Sequence, residues 1–468
     1  MDFSQSSVQN YPEARILPRP ERSAEMPYFG DEAHRQLVDS CVRATSMYEV
    51  LIQLPKVADD LEGNQALKDN NFPVVETVNA LRQQDWSMCE LLHSMSLPVV
   101  QSIAKNTVAY DDFMRKIECF KLPDAREVIP GVYVIALRIQ GRHGQFLNIR
   151  EMELLIEDMT SYVEGYRAYA KFNEDRVAHG RAFAKTNQSA QDKRAHRALV
   201  GIDSWAGGNA TDEPAFIRDD DGVPAIQSLI KTFERMCDRT LDPDGRTHIL
   251  QSPLYVGCSK HLSERLKVYN RNSLRSINKP LGLTLSILRK HGHTVELCIK
   301  NVLRVWKADQ LARAEQLVAS IAGSLVHQHG FNAIETGGTG SRTITSVDGL
   351  KVNTELVISR TRMMFDNLRD SLAEVNLRER FRRDLVRLNG QILDIRSYLD
   401  DCNKGMQQLN PGYKWDEDAE KLADVIQKLK VNLEHKKEAL RFWQLMLQIE
   451  RIIVEEKDRS QLIDTESP

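Results

Sequence analysis

No run of apolar residues in the 468-residue chain is long enough to cross a bilayer, which predicts no membrane partner. The first thirty residues lack a basic start followed by an apolar stretch, so no secretory leader is expected and the chain reads as intracellular. Cysteine is scarce. The seven, at 41, 89, 119, 237, 258, 298 and 402, are an odd number without Cys-x-x-Cys spacing. That excludes a disulfide framework and a zinc ribbon and leaves free thiols. No dinucleotide fingerprint, kinase signature or nucleophile elbow occurs. The Gly-rich segment 337–341 has no following lysine and reads as flexible linker, not as a phosphate cradle. His291 with His293, and His327 with His329, are spaced i, i+2, which diverges on a helix and does not build a zinc tetrahedron. Asp219-Asp220-Asp221-Gly222 lacks the spacing of a calcium loop and reads as a turn.

What is present is a soluble, globular composition: 41% apolar, 28% charged, 24 Gly and 16 Pro, which excludes collagen-like and wholly disordered chains. The length exceeds one hydrophobic core, so two to four domains are expected. The net charge of -3 excludes a uniformly basic coat but conceals an asymmetry. From Arg246 to Thr345 there are 14 Lys and Arg against 5 Asp and Glu, a formal +9, which leaves -12 for the remainder. A polyanionic partner is expected on that middle stretch.

Residues 1–28 read as a disordered tail, and 29–125 as a helical module whose Leu37, Cys41, Ala44, Met47 and Leu51 step by three and four. Strands are predicted over 129–139, 248–257 and 293–305. A helical stretch carries Met152, Leu155, Ile156, Met159, Val163 and Tyr166 on one face, and 201–224 read as a loop. Further helices are expected over 259–269, with Ser259 as amino-terminal cap, and over 308–329, ending at Gly330. Residues 335–343 read as a linker. In 346–468, Leu385, Leu388, Ile392, Ile395 and Leu399 form one apolar stripe. Leu422, Ile426, Leu429, Leu433, Leu440, Trp443 and Leu447 form another, with 410–415 breaking the helix between them. An antiparallel hairpin is the economical reading, and self-association or capture of a protein partner through the same seam is the alternative.

The chemistry-bearing order is Tyr133, Tyr255, Gly257, Arg265, Tyr269, Glu315, Asn332. Here the chain resembles the GIY-YIG nuclease superfamily. Gly131-Val132-Tyr133 is similar to the first signature tripeptide and Tyr255-Val256-Gly257 to the second. Arg265, ten positions after Tyr255, and Tyr269, four further on, are similar to the family's helical arginine and its neighbouring His or Tyr. Glu315 resembles the family's metal-binding glutamate, and Asn332 the asparagine beyond that helix. The resemblance implies an α+β fold: a small antiparallel sheet with helices in a domain over 126–345, interrupted at 140–247 by a helical insertion. A helical module would precede it and a long helical hairpin follow it. It departs from the family in one respect: 122 positions, not a short turn, separate the two tyrosines. Long insertions raise closure entropy only logarithmically, so the strands can still pair; otherwise Tyr133 is an ordinary core tyrosine.

The residue types suit phosphodiester hydrolysis independently. An arginine fork matches phosphoryl oxygens, and a carboxylate with water and phosphate oxygens suits a hard divalent ion such as Mg²⁺. A phenol beside a cation is expected to have a lowered pKa and to orient or deprotonate the attacking water. Tyr133, Tyr255, Arg265 and Tyr269 are therefore the candidate catalytic residues, Glu315 the metal ligand, and Gly257 and Asn332 structural or substrate-positioning. The expected function is divalent-metal-dependent DNA endonuclease, located in the nucleus if its substrate is chromosomal. The alternatives are a non-catalytic nucleic-acid-binding protein on the same fold, and a helical scaffold.

Overall fold

A computed structural model describes residues 15–16, 32–83, 86–124, 127–208, 213–270, 273–337, 347–409, 419–438 and 441. The chain divides into two compact units, Met1–Glu379 and Arg380–Pro468. Among its described residues the first mixes helices with five strands: β1 (Arg15–Ile16), β2 (Gly131–Ile139), β3 (Thr247–His248), β4 (Tyr255–Ser259) and β5 (Val295–Arg304). β1 pairs with β3 in parallel, and β4, β2 and β5 form an antiparallel three-stranded sheet in that order.

β2 is the central strand, and its near-continuous run of apolar and β-branched residues is what burial on both faces demands. Its side chains alternate between two cores. Val132, Val134 and Ala136 join Val256, Val302 and the helix Gln310–Ala322 in a core shared with the eight helices between Glu32 and Arg115. Tyr133, Ile135, Leu137 and Ile139 face the other way, toward Tyr255, Leu266 and the helix Ile149–His179. The register sets Tyr133 opposite Gly257 and Ile135 opposite Tyr255. Gly131 is required where it stands, because a Cβ there would lie 2.6 Å from the Leu303 carbonyl oxygen.

The long segment between β2 and β4 is helical and is stitched at its base. Phe146 donates to the Ile249 carbonyl at 2.9 Å and Ile249 donates back to Leu147 at 3.1 Å, so the insertion's two ends meet. Its 31-residue helix begins at a capping box: the Asn148 side chain accepts from the Glu151 amide at 3.1 Å, and the Glu151 carboxylate accepts from the Asn148 amide at 3.1 Å. Arg142 grips the same carboxylate with both terminal nitrogens at 2.7 and 2.8 Å, a buried bidentate pair.

Several expectations are corrected. The predicted strand 248–257 is two strands, ending at His248 and resuming at Tyr255. Between them Pro253 has no amide to offer a ladder, Ile249 pairs with Leu147, and Ser252 donates to the Asn106 carbonyl. The helix 259–269 is an α-turn over Leu262–Leu266 followed by a 3-10 turn over Lys267–Asn270; its cap is His261, while Ser259 ends β4. The helix 308–329 stops at Ala322, since Gly323 takes the left-handed conformation (φ 55°) that closes it. The loop 201–224 is shorter than read, with helix to Asp203 and again from Gly222. Within the tail 1–28, Arg15–Ile16 is a strand, and the rest of the tail lies outside the described residues.

In the second unit the helix Met363–Leu409 continues to its end and residues 419–438 are helical. Segment 410–415, with Leu440, Trp443 and Leu447, lies outside the described residues. Both apolar stripes are exposed, by 47–59% from Leu385 to Leu399 and by 45–62% from Leu422 to Leu433. No described helix is long and apolar enough to cross a membrane.

Candidate active site

Four of the seven singled-out residues meet at one end of the β2–β4 ladder. The antiparallel register brings the Tyr133 and Tyr255 rings to 6.3 Å between centroids, and the short turn after β4 adds Tyr269 at 6.0 Å from Tyr133 and 6.3 Å from Tyr255. The Tyr133 and Tyr269 hydroxyls are 3.2 Å apart. Arg265 Nε donates to the Tyr133 oxygen, also at 3.2 Å. Gly257 lies beneath this cluster because nothing larger fits: a Cβ would stand 2.6 Å from the Tyr133 oxygen. The absent side chain is therefore what admits the phenol.

Glu315 reaches the outer edge of β4. It projects from the helix Gln310–Ala322, whose Leu311, Ala314, Leu317 and Val318 fill the core, so the carboxylate stands at the margin of the apolar stripe. One of its oxygens accepts from the Cys258 thiol at 3.1 Å and from the Gly337 amide at 2.8 Å. Asn332 occupies the same edge one step back. Its side-chain oxygen accepts from the Val256 amide at 2.9 Å and its side-chain nitrogen donates to the Val256 carbonyl at 2.7 Å. It thereby positions β4 and does not enter the tyrosine cluster. Sequence reasoning missed Cys258 and Gly337. Position 258 follows the second tripeptide directly, and strand alternation would have sent it to the face opposite Tyr255's partner; Gly337 was hidden inside a supposed linker. Of that linker, Thr336 is buried and Gly337 is bonded, and the residues beyond are outside the described set until 347.

Electrostatics correct one expectation. Burial pushes the Tyr133 and Tyr269 phenols upward, reinforced by Tyr255, and Arg265 opposes this only in part. Both stay protonated and act as hydrogen-bond donors and props, not as bases. Tyr133 has no exposed surface, and its oxygen is shared between Arg265 and Tyr269. Its contact is with the guanidinium, which it aims. Burial works to lower the Arg265 guanidinium, and the surrounding phenols outweigh it, so the charge is retained. The terminal nitrogens of Arg265 make no hydrogen bond among the described residues, and the side chain is only half-buried. Burial raises Glu315, against the Gly337 and Cys258 hydrogen bonds and the field of Arg265, which lies within electrostatic reach.

The basic stretch is less positive in three dimensions than along the chain. Lys300 pairs with Asp112, Lys307 with Glu90 and Lys290 with Asp158, all acidic partners from outside the stretch. Arg304 is buried. Among the described residues no group of three or more His, Cys, Asp or Glu stands ready to enclose a metal ion. A hard cation at Glu315 would take one carboxylate from the protein and its other oxygens from water and a bound phosphate, a donor set that Mg²⁺ accepts. Compared with known proteins, the chain matches no family model, no curated protein and no solved structure.

Proposed function

We propose that the chain is a divalent-metal-dependent nuclease of GIY-YIG-like design that hydrolyses DNA phosphodiester bonds. The observation that carries this reading is the Arg265 guanidinium. It is held at Nε by a fully buried tyrosine, keeps its terminal fork unpaired among the described residues, and lies within the field of a half-buried carboxylate. A fork fixed at its base and open at its tip grips two phosphoryl oxygens and stabilises the charge that develops as the phosphorus becomes five-coordinate. Tyr133 and Tyr269 do not touch substrate; they orient Arg265, so they are positioning residues. Tyr255 is the remaining phenol of the cluster and orients the attacking water. Glu315 would hold the cation, which when bound supplies charge neutralisation at the phosphate.

The test is nicking of plasmid and branched DNA with and without Mg²⁺. Arg265→Ala is expected to lower cleavage roughly 100- to 1000-fold, the scale of losing one preorganised charge-stabilising donor. Glu315→Ala is expected to abolish metal-dependent cleavage and leave DNA binding in place, because it removes no phosphate contact. Cleavage at the wild-type rate by either variant excludes the nuclease reading. Binding by the wild type with no cleavage at any divalent ion favours the binding-only alternative.

A further inference from the structure

We propose that the carboxy-terminal helix pairs in parallel and in register with the same helix of a second copy of this chain. The apolar steps from Leu385 to Leu399 belong to a longer series. Phe381 precedes them by four, and Cys402 and Met406 follow by three and four, so the alternation of three and four runs unbroken over 26 residues. That is a heptad seam with Leu385, Ile392, Leu399 and Met406 at one core position, and Phe381, Leu388, Ile395 and Cys402 at the other. All of it lies in the helix Met363–Leu409, and its exposed side chains, from 64% at Phe381 to 44% at Met406, are left uncovered by the described residues of their own chain. Eight half-exposed core side chains meeting eight identical ones reach the order of a standard interface, roughly 1,200 to 2,000 Å² in total.

Two observations favour a second copy over the chain's own residues 419–438. The first is that the stripe from Leu422 to Leu433 is equally exposed, so neither stripe covers the other within one chain. The second is charge. Residues flanking the seam would meet across a parallel pair as Asp384 with Asn389, Gln391 with Arg396, and Tyr398 with Asn403, none of them of like sign. Folded back antiparallel on 419–438, with Leu399 against Leu429, the seam sets Arg396 beside Lys430. Cys402 supplies the reporter. It is the single exposed cysteine of the seven, and at a core position of a parallel in-register pair it faces its own copy at a separation a disulfide can span.

The experiment uses the full chain at micromolar concentration. Light scattering is expected to give twice the 53.4 kDa chain mass. On adding a mild oxidant, which takes two electrons and two protons from a pair of thiols, a covalent dimer should form that Cys402→Ala abolishes. Leu388→Asp with Ile395→Asp should return the chain to monomer, with near-ultraviolet circular dichroism of Met1–Glu379 unchanged to show that unit still folded. A monomeric wild type overturns the proposal, as does a dimer that survives the double substitution. A dimer without the Cys402 crosslink overturns the parallel register.

Discussion

Gly257→Ala tests the geometry of the tyrosine cluster with a single methyl group. The added Cβ would lie 2.6 Å from the Tyr133 oxygen, 2.7 Å from Cζ of the same ring and 3.1 Å from Cε1 of Tyr255. Carbon atoms in good contact stand roughly 3.5–4.0 Å apart, so the overlap with Tyr133 is about 1 Å. The ring has nowhere to go: it is fully buried, with Tyr255 and Tyr269 on its flanks. Overpacking of this kind costs about 1–3 kcal/mol, and the rigid ring places the expected value in the upper half. Displacing the phenol also lengthens the 3.2 Å bond from Arg265, so cleavage should fall further than stability does. Urea unfolding followed by fluorescence gives the first quantity and nicking rates the second. Tyr133→Phe removes the nearest atom but not Cζ, so in the Gly257→Ala background it should recover part of the loss, a coupling of about 0.5 kcal/mol or more. An unfolding midpoint equal to wild type in Gly257→Ala would refute the close approach.

Asn332→Ala leaves the Val256 amide and carbonyl without their partners in a buried setting, and a loss of about 2–4 kcal/mol is expected in urea unfolding. Arg265→Lys should recover little of the cleavage lost in Arg265→Ala, since an ammonium cannot take the Tyr133 contact and grip two oxygens together; comparing the two rates checks this. His248 and His293 are buried, and burial, with Arg142 adding to it, holds both at about 4. Their folded values lie below the unfolded value of about 6.5, so stability is intact above pH 6.5 and is lost as pH falls toward 4. His248→Gln with His293→Gln should flatten that slope in unfolding measured at pH 7.5 and 5.0. Glu315 has the opposite sense: its raised value means the fold favours the protonated acid, and that contribution fades as pH rises through the window above the ordinary glutamate value. Glu315→Gln should therefore gain on wild type between pH 4.5 and 7 in the same assay, and equal stability at both ends would remove the burial argument.

Patterns local in sequence were legible. Nine residues of near-continuous apolar, β-branched and aromatic character announced β2, and a stripe at three and four announced the helix that carries Glu315. Pairing across 122 positions was reachable only through the resemblance, because nothing in composition says that Phe146 and Ile249 will stitch the insertion shut. Boundaries failed where two signals competed. Gly330 reads as the end of a helix that Gly323 closes, and the left-handed φ that decides for Gly323 is a property of the folded turn. The phenol protonation was misjudged because the sequence shows a neighbouring arginine but not the burial that outweighs it. The basic stretch misled for a similar reason, since Asp112, Glu90 and Asp158 lie far from it along the chain.

The amide of Asn332 answers β4 as a fourth strand would, supplying both a donor and an acceptor to Val256. A three-stranded sheet normally advertises its outermost backbone to any passing extended peptide. Here one side chain closes that invitation at a cost of a single residue, and Glu315 does the same beside Cys258. The border that keeps neighbouring molecules from annealing onto the sheet is thus also the border at which Glu315 stands, so loss of either residue would open β4 to an extended neighbour.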